Sequence, residues 1–132
     1  MKHKILIISV LILGFAITGC TNKDKEKIID TIENFTDAFY SGDINKAMDY
    51  CTPQAAHALK FNEIIIEEDV KSIMENSKHT ITFNNISIDK KNNTAEVVLI
   101  LENFFDISTM CFEKSDTTTY SLIKIDKIWY IK

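Results

Sequence analysis

The sequence predicts an α+β domain, with helices first and an antiparallel sheet after them. From Ile28 to Met74 the apolar residues recur with the 3.6-residue period of a helix. From Ile81 to Ile131 they fall in extended runs rich in β-branched and aromatic residues. The period changes once, near His79, so helices and strands do not alternate as they would around a parallel sheet.

The helical half divides at its capping residues. Ile28, Ile32, Phe35 and Phe39 lie at i, i+4, i+7 and i+11, one face of a helix, and Asp30, Glu33, Asn34 and Asp37 fall on the other. Gly42 suits a left-handed cap, and Asp43 suits the N-cap of a short helix from Ile44 to about Cys51. Thr52-Pro53 restarts a helix with a hydroxyl cap and a proline in the first turn, where no donor is lost. Its apolar residues are Ala55, Ala56, Ala58 and Leu59. A further helix is expected from Asn62 to about Asn76, with Ile66, Val70, Ile73 and Met74 in period.

Strands follow. Ile81, Phe83, Ile86 and Ile88 mark the first, with Asn84-Asn85 as a candidate bulge. Lys90 to Asn93 reads as a turn and Ala95 to Phe105 as the second strand. Asp106 to Phe112 either prolongs that strand or opens the next. Thr117–Ile125 and Ile128–Ile131 are strands joined at Asp126-Lys127.

Ahead of the domain stands a different kind of segment. Met1-Lys2-His3-Lys4 is basic, and Ile5 to Ile17 is an apolar block broken only by Ser9 and Gly14. As a helix this block reaches roughly 20 Å, short of a ~30 Å hydrocarbon core, which describes a secretory signal peptide. Ile17-Thr18-Gly19-Cys20 closes it and resembles the bacterial lipobox. The resemblance implies cleavage before Cys20, a diacylglycerol thioether on Cys20 and an extracytoplasmic, membrane-anchored lipoprotein. Residues 1–19 are then the signal peptide, 20–27 a lipidated cysteine with a short solvated tether (Lys23 to Lys27), and 28–132 the domain.

Charge bounds the partners. Without Lys2 and Lys4, thirteen lysines face nineteen carboxylates, a net of −6. Such a surface is repelled by an anionic leaflet as a whole, so the lipid must do the tethering. No basic patch interleaved with aromatics is visible in the sequence, which argues against nucleic acid. The chain has no arginine, which removes bidentate clamps for carboxylates and phosphates.

Phe39-Tyr40-Ser41-Gly42-Asp43, Ala47, Tyr50-Cys51-Thr52-Pro53 and Trp129 in the last strand resemble the nuclear transport factor 2-like superfamily, and more narrowly its small bacterial lipoproteins. The resemblance implies a curved sheet around the long helix, a cone with a cavity at its open end, and in many members dimerisation through the sheet. The superfamily includes isomerases, dehydratases and epoxide hydrolases, so its enzyme patterns can be tested residue by residue. The hydrolase pattern needs an arginine, and the dehydratase pattern needs paired histidines, of which the domain has only His57 and His79. The ketosteroid-isomerase pattern needs a carboxylate where this chain reads Cys51-Thr52-Pro53-Gln54; Tyr40 and Asp106 could serve its other two roles. No spacing of histidines and thiols suggests a metal, and no glycine-rich loop suggests a phosphate. The expectation is a non-catalytic binding or accessory module without cofactor. Its partner is another envelope protein, a second copy of the chain or a small apolar ligand, and Phe83, Phe104, Met110 and Phe112 are the candidate pocket lining. The runner-up is a small isomerase- or dehydratase-like enzyme using Tyr40 and Asp106.

Cys51 and Cys111 remain. Both sit among apolar neighbours, which favours two buried thiols, while an exported pair leaves a disulfide open.

Overall fold

The computed structural model describes residues 19–132, with side chains from Lys23 onward. Residues 1–18 of the expected signal peptide, including Ile17 and Thr18, lie outside the described residues. Four helices, α1 (Gly19–Tyr40), α2 (Ile44–Met48), α3 (Pro53–Ile65) and α4 (Glu68–Asn76), precede four strands. These are β1 (Thr80–Asp89), β2 (Thr94–Asp106), β3 (Cys111–Ile125) and β4 (Ile128–Ile131), a sheet of order β1-β2-β3-β4 with every pair antiparallel.

The long helix lies against one face of the sheet. Ile28, Ile32, Phe35 and Ala38 of α1 are buried with Val97, Leu99, Leu101, Leu122 and Trp129. Phe39 is half-buried and stacks on Phe35 at 5.7 Å between ring centroids. Thr36 is the one polar residue wholly buried among those described, and its hydroxyl donates to the Ile32 carbonyl at 2.8 Å, so its burial leaves no unpaired group.

The caps form as their residues require. Gly42 has φ 82°, and the Asp43 carboxylate accepts from the Lys46 amide at 3.1 Å. Thr52 caps α3 by accepting from the Ala55 amide at 3.3 Å. The expected bulge is present, since the β1–β2 register shifts between Phe83 and Asn85.

Three expectations change. The tether expected over 20–27 is helical, because α1 begins at Gly19 rather than Ile28. Lysine and glutamate are good helix formers, and Asp24 is tied down from two sides: Lys124 Nζ donates to its Oδ1 at 2.9 Å and Trp129 Nε1 to the same oxygen at 3.2 Å. The helix expected over 62–76 is broken at Ile66-Glu67, so α3 runs on to Ile65 and α4 starts afresh. Finally, residues 107–110 form the β2–β3 turn, and β3 begins at Cys111.

The tight turn at Asp126-Lys127 puts both residues at positive φ, 50° and 69°. This is the geometry of a two-residue hairpin that prefers Asn-Gly. Lys127→Gly should therefore stabilise the domain by about 0.5–1 kcal/mol. A thermal melt that shows a fall in Tm would contradict the turn geometry.

Candidate functional site

Two of the pockets among the described residues touch the Phe35–Phe39 stack, one at each ring. The larger, about 460 Å³, lies between α1, α3 and the last strand, lined by Phe35, Cys51, Thr52, Gln54, Ala55, Ala58, Leu59, Ile131 and Lys132. Its origin is local. α3 presents alanines where larger residues would close the gap, and none of its thirteen residues is buried. The segment before α3 is fixed to the edge of β4: the Thr52 amide donates to the Ile131 carbonyl at 2.8 Å and the Ile131 amide to the Tyr50 carbonyl at 2.9 Å. Cys51 therefore sits at the floor, 7% exposed, with its thiol donating to the Ala47 carbonyl at 3.5 Å. Burial pushes the thiol up to about 11. It stays protonated at neutral pH and is a poor nucleophile.

The smaller pocket, about 280 Å³, lies at the C-terminal end of α1 and is lined by Phe39, Tyr40, Asn62, Phe104, Asp106, Ile107, Ser108, Asp116 and Thr118. It brings together Tyr40 and Asp106, which the sequence singled out, and adds Tyr120 behind them. The Tyr40 and Tyr120 hydroxyls neighbour one another. Burial raises Tyr40 above the ordinary tyrosine range, against the lowering effect of the Tyr120 hydroxyl, while Asp106 and Asp116 add to the rise. Burial raises Tyr120 more strongly, with the neighbouring Tyr40 oxygen as the next cause. Asp106 is shifted the other way. The Ser108 hydroxyl donates to its Oδ1 at 2.7 Å and the Ser108 amide at 2.8 Å, which holds the carboxyl below its usual value. Asp106 is thus an ionised turn-forming carboxylate, unsuited to the role of a protonated acid donor.

Of the four expected lining residues, Phe104 alone reaches a described pocket. Phe83 packs against the main core. Met110 and Phe112 are 49% and 64% exposed, and Phe112 meets Phe105 edge-on at 5.2 Å between ring centroids. The cause is Asn103, whose φ of 55° interrupts the alternation of β2 and turns Phe104 inward and Phe105 toward Val70 and Met74 of α4. The two cysteines are free thiols, one buried and one exposed. Cys51 bridges to Ile131, whereas Cys111 pairs with Asp106 at the far end of β3, so no disulfide links them, and the expectation of two buried thiols fails at Cys111. His79 Nε2 donates to Asp37 Oδ1 at 3.1 Å and its ring lies beside the Tyr40 ring, while His57 packs on Phe61. Among the described residues no three His, Cys, Asp or Glu side chains form a metal-binding group.

The Asp24 contact at the opposite end of α1 has a pH signature. The Lys124 hydrogen bond lowers the Asp24 carboxyl below 3.8. Stability from this contact is present above the unfolded value and lost as pH falls through the lowered folded value. With the side chain 18% exposed, Asp24→Asn should cost about 1 kcal/mol at neutral pH. Melts at falling pH check this: the gap between parent and variant should close on acidification below about pH 4, and a gap independent of pH would contradict it.

No protein-family model and no curated protein matches the chain. Among solved structures it is similar to a nuclear transport factor 2-like protein of unknown function from Shewanella oneidensis MR-1. The TM-score is 0.53 at 16% identity, and the match covers 82% of this chain and 93% of that one. The likeness embraces the helices and the curved four-stranded sheet together, and it shows that this chain has the nuclear transport factor 2-like fold.

Proposed function

We propose that the chain is a lipid-anchored lipoprotein on the extracytoplasmic face of a bacterial membrane and acts as a non-catalytic module that binds a small apolar ligand. The anchor reading is supported by the lipobox at Ile17 to Cys20 behind a basic start and an apolar block. The binding reading rests on one observation, the 460 Å³ pocket walled by Phe35, Ala55, Ala58, Leu59 and Ile131. That volume is in the range of small-molecule sites, ~300–1,000 Å³. Its floor carries a thiol held protonated, which suits occupancy rather than reaction.

Occupancy can be read at Cys51 itself. An apolar fluorescent dye should bind, and should slow alkylation of Cys51 relative to the exposed Cys111. Ala55→Trp, which fills the pocket, should weaken dye binding at least about tenfold, a loss of ~1.4 kcal/mol. Unchanged binding in a variant that melts normally would sink the proposal.

A second reading is favoured by the Tyr40–Tyr120 pair, which leaves a tyrosine hydroxyl beside the smaller pocket as a donor toward a carbonyl oxygen. It requires turnover of a small carbonyl compound by the parent chain, abolished in Tyr40→Phe.

A further inference from the structure

The net charge of the domain hides a segregation that folding creates. The start of α1, the β1–β2 turn and the β3–β4 hairpin meet at one end of the molecule. Asp24 holds Lys124 and Trp129, and the Lys124 amide donates to the Asn93 carbonyl at 2.8 Å. Segments 23–27, 89–93 and 124–128 together carry seven of the thirteen lysines from Cys20 onward but only four of the nineteen carboxylates. That end has a net charge of +3, and the remainder, with six lysines and fifteen carboxylates, has −9. Lys23, Lys25, Lys27, Lys91 and Lys127 are exposed there. Ile125 and Ile128 flank the hairpin tip at 43% and 54% exposure.

We infer that this end is a docking face for anionic phospholipid headgroups of the membrane that carries the anchor. Three observations choose that occupant. The chain outside the described residues ends here, because α1 begins at Gly19, and at 1.5 Å per residue the Cys20 backbone is about 6 Å from Asp24 along the axis. Residues 20–27 are helical rather than extended, so the domain has little freedom to stand away from the bilayer. The face also combines exposed lysines with exposed isoleucines, the composition that suits the headgroup and acyl boundary. Over a Debye length of ~8 Å at physiological salt, the local +3 acts on the headgroups, while carboxylates farther than that from the surface are screened. The repulsion expected from the net charge becomes an orienting force that turns the basic end toward the membrane.

The inference rests on the lipoprotein reading for the nearness of the bilayer, but its charge pattern does not depend on lipidation. The test uses the full chain purified from membranes and reconstituted in vesicles of phosphatidylcholine alone or mixed with phosphatidylglycerol. Amide hydrogen exchange at 89–93 and 124–128 is followed, and the mass of the peptide holding Cys20 reports the anchor separately. Slower exchange of both turns on the anionic vesicles is expected, reversed by high salt. Lys91→Glu with Lys127→Glu changes the local charge from +3 to −1. At roughly fivefold per basic side chain near an anionic surface, that protection should fall by at least about a hundredfold. A thermal melt of this double variant should match the parent. Equal exchange on both compositions, or protection that survives in the folded double variant, overturns the docking face. A Cys20 peptide without lipid overturns the anchor and leaves composition-dependent protection standing as support for the face.

Discussion

Truncating Phe35 to alanine is expected to lower the stability of the domain by about 3–5 kcal/mol, the range for a buried phenylalanine. Phe35 is 5% exposed, stacks on Phe39 at 5.7 Å and meets the edge of Tyr120 at 5.6 Å. Removing it takes away a ring that lines the larger pocket and leaves a void that its neighbours on α1 and β3 cannot close. A domain of this size has only ~5–15 kcal/mol in hand, so the variant should melt roughly 10–25 °C lower. Phe112→Ala is the matched control. At 64% exposure it should cost less than about 1 kcal/mol. If the two substitutions shift the melt equally, Phe112 belongs to the interior and the β2–β3 turn is placed wrongly.

The second large effect is at Cys20. Replacing it by serine removes the thiol on which the lipobox would receive diacylglycerol, so cleavage before residue 20 and acylation should both stop. A single acyl chain holds a protein only marginally, whereas two hold it stably, at ~0.8 kcal/mol per buried CH₂. Retention by the mature chain therefore depends on this one atom. Membrane fractionation with a labelled fatty acid, and the mass of the N-terminal peptide, read the outcome. Label on the serine variant, or the same cleavage in it, would falsify the lipoprotein reading. The basic docking face alone should not hold the chain against high salt.

Much of the fold is legible along the chain because its cues are local. The stripe of Ile28, Ile32 and Phe35 needs only the helical period, Gly42 needs only its own positive φ, and Thr52 caps a turn three residues away. The bulge at Asn84-Asn85 and the reversal at Asp126-Lys127 are likewise properties of a few adjacent residues. The chemistry of the signal segment and Cys20 is also carried by contiguous residues, which is why it can be proposed at all.

What the sequence by itself determined is thus the α+β order, the caps and the reversal at Asp126-Lys127. Only the tertiary structure decided where the space and the charge would be. The left-handed residue Asn103 reversed the inward face of β2, so Phe104 reached a pocket while Phe112 was left outside. The larger pocket depends on alanines of α3 facing Ile131, which lies more than seventy residues further along the chain. The end that carries +3 is assembled from three distant segments held by Asp24, Lys124 and Asn93. Packing is a sum over contacts between remote residues, and so is an electrostatic field; neither has a period that a linear reading can detect.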